Sequence, residues 1–110
     1  MNIQIFGIKK CQDTRKAERF FKERGINYQF IDLTIKGMSK GELRSVNQQV
    51  AWSDLLNSSG KLYQSQYKTH MVRDIGEALL QNPLLLNTPV VRNGAAATVG
   101  YRPEIWKTWQ

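Results

Sequence analysis

One cysteine in 110 residues rules out an internal disulfide, and a chain of this length buries a core without covalent staples. With Cys11 and His70 as the only cysteine and histidine, the sequence lacks the ligand set of a structural zinc site. No apolar run approaches the roughly 20 residues needed to span a bilayer. The N-terminus reads directly as a strand, with no basic region ahead of a long apolar stretch, so no secretory signal is expected. These absences point to a reducing compartment, the cytoplasm, with no bound cofactor, no metal and no membrane association. The charge is one-sided, with 16 Lys and Arg against 9 Asp and Glu and a net charge of +7. Yet the basic residues are scattered, without a cluster of five or an aromatic-rich RNA-binding signature, so direct nucleic-acid binding is not expected.

What is there reads as an α/β chain in one domain, residues 1–110. Asn2 to Phe6 alternates as a strand, Gly7 breaks it, and Lys9 to Lys16 opens a helix. Ala17, Phe20 and Phe21, with Thr14 one turn earlier, mark the buried face of that helix, and Gly25 closes it as a C′ residue. Asn27 to Ile31 forms a second strand, so the first thirty residues make a βαβ unit with parallel strands. A helical insertion is expected over about residues 38–83. Ser39 and Glu42 form a capping-box pattern for a helix to about Gln49, Ser53 caps a short turn carrying Leu55 and Leu56, and Asn57 to Gly60 breaks it. Thr69 is predicted to begin a helix carrying Val72, Ile75, Leu79 and Leu80, ending at Asn82-Pro83. Pro89 to Arg92 and Ala95 to Val99 read as strands joined by an Asn93-Gly94 turn, and Pro103-Glu104 opens a last helix. Tyr101, Trp106 and Trp109 are expected to pack that helix under the sheet. The order βαβ, helical insertion, ββα is that of a thioredoxin-like fold with a central mixed sheet of about four strands.

Cys11 stands out because it falls where a strand gives way to a helix. A thiol there meets the unpaired N–H groups and positive dipole end of the first turn. Lys9, Lys10, Arg15 and Lys16 add positive charge nearby. Both effects favour the thiolate, which is the nucleophile. His70 lies in a basic, polar stretch and is expected at the surface.

Taken together, several segments resemble the arsenate reductase family of the ArsC and Spx type, a glutaredoxin-related group. They are Ile5-Phe6-Gly7 with Cys11 to Ala17, Ile31-Asp32, Trp52 to Asn57 with Gly60 and Tyr63, Asn87 to Val91, and Val99 to Trp106. The resemblance implies a nucleophilic Cys11 supported by the Thr14 hydroxyl, and an active-site proline, Pro89 after Thr88, commonly cis in such folds. It also implies an external thiol as co-substrate, with glutathione or glutaredoxin as partners. Spx-type relatives carry a second cysteine three positions on. Here that position is Thr14, which excludes an internal dithiol switch. Arsenate-reducing relatives hold the oxyanion with three arginines, as suits planar guanidinium forks. This chain has Asn57 at the first position, Thr88 at the second and Arg102 at the third, so arsenate is expected to be a poor substrate. Arg15 is the candidate to supply missing charge from the helix's first turn. The expected function is a thiol-dependent oxidoreductase acting through Cys11. The alternative is a non-enzymatic Spx-like protein that binds RNA polymerase or another acidic protein surface.

Overall fold

A computed structural model describes residues 1–67 and 74–110. Strand β1 (Ile3–Gly7) leads to helix α1 (Gln12–Glu23) and strand β2 (Tyr28–Asp32). Four helices follow: α2 (Lys40–Asn47), α3 (Trp52–Leu55), α4 (Lys61–Gln66) and α5 (Ile75–Gln81). A 3-10 turn over Pro83–Leu85 precedes β3 (Val90–Asn93), β4 (Ala96–Val99) and α6 (Pro103–Trp106). The sheet order is β2-β1-β3-β4, with β1 parallel to β2 and antiparallel to β3, and β3 antiparallel to β4. This is the thioredoxin-like arrangement, and its mixed sheet of four strands matches the sequence expectation. No described helix is long and apolar enough to cross a membrane.

Side-chain alternation divides the core in two, because neighbouring strand residues point to opposite faces. Ile3, Ile5 and Val91 face one side, where Ala17, Phe20 and Phe21 of α1 pack with Trp106 of α6. Trp106 is fully buried, and its indole N–H donates to Thr98 Oγ1 at 2.8 Å, which satisfies the one polar atom that burial would orphan. Phe6 and Val90 face the other side, covered by Leu43 and Val46 of α2, Leu55 and Leu56 around α3, and Ala78 and Leu79 of α5. The α1 stripe is therefore as read from its spacing. Tyr101 departs from expectation: it is 41% exposed and only edges Trp106, at 5.6 Å.

The insertion differs from the sequence reading in detail. Ser39 and Glu42 form the full reciprocal capping box. The N-cap of α3 is Ala51 rather than Ser53, because Trp52 packs against Gly76 and draws the helix start forward. Helix α4 was not expected. Its polar sequence carries no side-chain cap, and it is held by Leu62 and Tyr63 against the core and by Tyr63 stacked on Tyr67 at 5.8 Å. Thr69, His70 and Val72 lie outside the described residues, and α5 begins at Ile75 with Asp74 as its N-cap. The hairpin turn is Gly94-Ala95 rather than Asn93-Gly94, since Asn93 pairs with Ala96. Gly94 takes φ 59° and, among the described residues, only glycines have positive φ, which is the glycine-first turn pattern rather than the Asn-Gly one.

Candidate functional site

The end of β1, the start of α1 and the chain leading into β3 meet at Cys11. Cys11 is the N-cap of α1, in extended conformation, and is partly exposed. Its neighbour, just ahead of β3, is Thr88, joined to the fully buried Pro89 by a cis peptide bond. Thr88 contacts the sulfur twice. Its hydroxyl donates to Cys11 Sγ at 3.1 Å, and its carbonyl accepts from the thiol at 3.8 Å.

The Cys11 thiol lies below its ordinary pKa. Burial pushes it up, but the Thr14 hydroxyl, the Thr88 hydroxyl and the backbone N–H groups of Thr14 and Asp13 together pull it further down. Those two amides stand at N2 and N3 of α1, where a capping side chain normally accepts. As a thiol, Sγ makes no capping bond, so these donors are held for the thiolate. Thr14 is fully buried, and its Oγ1 has no regular hydrogen-bond partner among the described residues. It is wedged against Gly7, where an added Cβ would lie 2.5 Å from that oxygen. Glycine at the end of β1 thus lets α1 begin close enough for Thr14 to sit beneath the sulfur.

Thr88 is held by a short backbone clamp. Leu56 pairs with Leu86 as an isolated bridge, Asn57 N–H donates to the Leu85 carbonyl at 2.8 Å, and Asn87 N–H donates to the Leu55 carbonyl at 2.7 Å. The Asn87 side chain adds a bond to the Asp54 carbonyl at 2.8 Å. On the other side, Gly100 N–H donates to the Pro89 carbonyl at 2.8 Å.

Beside Thr88 opens a cleft of about 360 Å3 whose charged lining is Asp13, Asp54 and Arg102. Arg102 is exposed, with Nε donating to the Val99 carbonyl at 3.3 Å. The structure brings Cys11, Thr14, Thr88, Pro89 and Arg102 into one neighbourhood. It does not bring Arg15 or Asn57 there. Arg15 is exposed on α1 and does not line the cleft, and the groups that lower the thiol are hydroxyls and amides rather than the four nearby cations. Of those cations, Lys9 acts on Asp32 and Lys16 lies over the Tyr101 ring. The Asn57 side chain is spent on its own turn, where Oδ1 accepts from Ser59 and Nδ2 packs on Gly60. Sequence reasoning missed the two carboxylates in the cleft and treated Thr88 only as a lost arginine and the partner of Pro89. The signal available for Thr88 was its place directly before the proline, which puts its side chain wherever the proline puts the backbone.

Comparison with known proteins agrees with this architecture. The model of the ArsC family matches residues 6–109. A relative in Oceanobacillus iheyensis, global transcriptional regulator Spx 2, is 21% identical over 128 residues, covering 100% of this chain and 94% of its own. Among solved structures, the YFFB protein superimposes with a TM-score of 0.85 at 24% identity, covering 96% of each chain. The arsenate reductase from Vibrio cholerae gives a TM-score of 0.79 at 23% identity, over 96% of this chain and 94% of that one. At these identities the solved structures show the fold.

Proposed function

The chain belongs to the ArsC family, and from that premise we propose that it is a thiol-dependent oxidoreductase with Cys11 as its nucleophile. The observation that carries this reading is the Thr88 hydroxyl donating to a partly exposed sulfur at the N-cap of α1, with Thr14 and the first-turn amides favouring its thiolate. A thiolate so supported attacks one sulfur of a substrate disulfide. The new bond joins Cys11 Sγ to that sulfur, and the other sulfur leaves as a thiolate that takes a proton from water. An external thiol such as glutathione then attacks the mixed disulfide and returns Cys11 as thiolate. That attack joins glutathione to the substrate sulfur that Cys11 had held, and a second thiol, glutathione or glutaredoxin, then attacks the glutathione sulfur and releases the substrate as a thiol. The two thiols supplied from outside are oxidised and the substrate disulfide is reduced.

Arsenate is a poor candidate substrate. Asn57 and Thr88 stand where arsenate-reducing relatives place arginines, and the cleft sets Arg102 alone against Asp13 and Asp54. An oxyanion there faces like charge before it reaches the sulfur. The test is alkylation of Cys11 by iodoacetamide as a function of pH, alongside glutathione-driven reduction of a small disulfide. A midpoint below that of a free cysteine, with turnover lost in Cys11→Ser, supports the reading. A midpoint at or above it, or turnover that survives Cys11→Ser, overturns it.

The similarity to a transcriptional regulator over nearly the whole chain favours a second reading, a regulatory protein that binds RNA polymerase or another acidic protein surface. Thr14 excludes regulation through an internal dithiol. Capture of the polymerase from bacterial lysate, undiminished by Cys11→Ser, supports this second reading, and failure to capture it sets the reading aside.

A further inference from the structure

Lys16, Arg19, Phe20 and Glu23 fall at i, i+3, i+4 and i+7 along α1, which places them on one stripe, and Arg24 continues it as the C-cap. Tyr101, Pro103 and Lys107 face that stripe from the C-terminal segment, and a groove of about 220 Å3 lies between. Its charged lining is four cations against the one carboxylate of Glu23. None of the four is in an ion pair among the described residues, where the single salt bridge joins Arg92 to Glu42.

Two of these cations are held in place over aromatic rings. The Arg24 guanidinium lies 3.8 Å from the Phe20 ring centroid, and its Nη1 donates to the Phe20 carbonyl at 3.4 Å. Lys16 Nζ lies 5.7 Å from the centroid of Tyr101. Beneath them, Phe20 meets the buried Trp106 at 5.3 Å. Positive charge gathered over an aromatic floor repels itself, and an anionic occupant relieves that repulsion.

We propose that the groove between α1 and the C-terminal segment is a docking site for an acidic segment of a partner protein, a stretch rich in Asp and Glu with one apolar side chain. The stripe from Lys16 to Arg24 spans roughly 12 Å at about 1.5 Å per residue. That is the length of about four residues of extended peptide at roughly 3.3 Å each. The half-exposed ring of Tyr101 gives the apolar side chain a seat, as aromatic side chains do at the centres of protein interfaces. So short a track suits a peptide better than a nucleic acid, whose binding draws on many successive phosphates.

The groove adjoins the thiol site along one segment of chain. Gly100 and Arg102 line the cleft beside Thr88, whereas Tyr101 and Pro103 line the groove. A protein seated on the groove therefore lies beside the cleft that Thr88 lines. Docking goes beyond the thiol chemistry proposed above and holds whether the docked protein is reduced or merely bound.

The test is fluorescence anisotropy with a labelled peptide of Asp and Glu around one Phe, its Lys counterpart, and a single-stranded oligonucleotide of equal charge. Arg19 and Lys107 are both exposed, so the double variant Arg19→Glu/Lys107→Glu leaves the core untouched. The acidic peptide should bind the wild type and Cys11→Ser equally. Its affinity should fall at least tenfold in the double variant and weaken with added salt. Absence of binding to the wild type, affinity within twofold in the double variant, or tighter binding of the oligonucleotide or the Lys peptide overturns the proposal. Cys11 alkylation in the double variant reads the thiol separately. Lost docking with unchanged alkylation supports a distinct site, and loss of both shows that the substitutions acted through the cleft.

Discussion

The two faces of the sheet are built from different materials. On one, a single helix of 12 residues lays Ala17, Phe20 and Phe21 on Ile3, Ile5 and Val91, and one tryptophan closes the layer. On the other, helices of 8, 4, 6 and 7 residues share the work, and only Ser39 and Asp74 cap theirs with a side chain. Helices of that length do not persist alone in water, so the second face stands by what it buries. The thiol site draws on both. Cys11 and its amide donors come from the long helix, while Thr88 is held by the clamp that ends the patchwork side. The reactivity proposed for Cys11 therefore depends on the seam between the faces.

The sharpest way to probe that seam is to remove its sulfur. Cys11→Ser should reduce thiol-dependent turnover to background and leave stability at neutral pH within about 0.5 kcal/mol. The folded chain holds the thiolate more readily than the unfolded chain does. Its stabilising contribution is thus complete above the ordinary thiol range and disappears as pH falls through the lowered value. Urea midpoints of wild type and Cys11→Ser should coincide in mild acid and separate on the alkaline side. Coincidence throughout would show that the sulfur is not specially supported.

Next in size are deletions in the two cores. Trp106→Ala should cost about 3–5 kcal/mol, and Leu85→Ala about 2–5 kcal/mol. Leu85→Ala keeps the backbone carbonyl that accepts from Asn57, but the cavity left by the buried side chain loosens the clamp on Thr88, so alkylation of Cys11 at neutral pH should also slow. Trp106→Ala should leave the alkylation midpoint in place. Equal movement of that midpoint in both variants would erase the distinction between the faces.

Two smaller changes act at the seam alone. Gly7→Ala drives a methyl into Thr14 and should cost about 1–3 kcal/mol by overpacking. It should also slow alkylation as the Thr14 hydroxyl is displaced, and an unchanged rate would show that this hydroxyl does not support the thiolate. Thr88→Val keeps the shape and removes the donor to Sγ. Alkylation at neutral pH should slow by up to roughly tenfold, equivalent to about 1.4 kcal/mol, with little change in urea midpoint. A large loss of stability instead would assign Thr88 to the core rather than to the sulfur.

The sequence made the first face readable and the second only partly so. The α1 stripe, the βαβ start and the capping box at Ser39 are local patterns, and each is where its residues placed it. Helix α4 escaped because Tyr63 and Leu62 gain their burial from residues distant in sequence. The turn at Gly94-Ala95 escaped because strand pairing, not the Asn-Gly dipeptide, set the register. In the site, Cys11 was legible from the strand-to-helix break. The part played by Thr88 was not, since a hydroxyl that faces a sulfur 77 positions away leaves no local trace. One long-range signal was present: Leu-Leu-Asn occurs at Leu55 to Asn57 and again at Leu85 to Asn87, and the two copies pair with each other.

A lone thiol also fixes how the chain would keep time. A protein with a neighbouring second cysteine clears a mixed disulfide internally, at an effective concentration set by its own geometry. This chain has no such exit, because Cys11 is its only sulfur nucleophile. Once Cys11 is joined to a substrate, the half-life of the adduct scales inversely with the concentration of thiol outside. The protein then behaves as a clock wound by its surroundings, running fast where reductant is plentiful and stopping, substrate in hand, where it is spent.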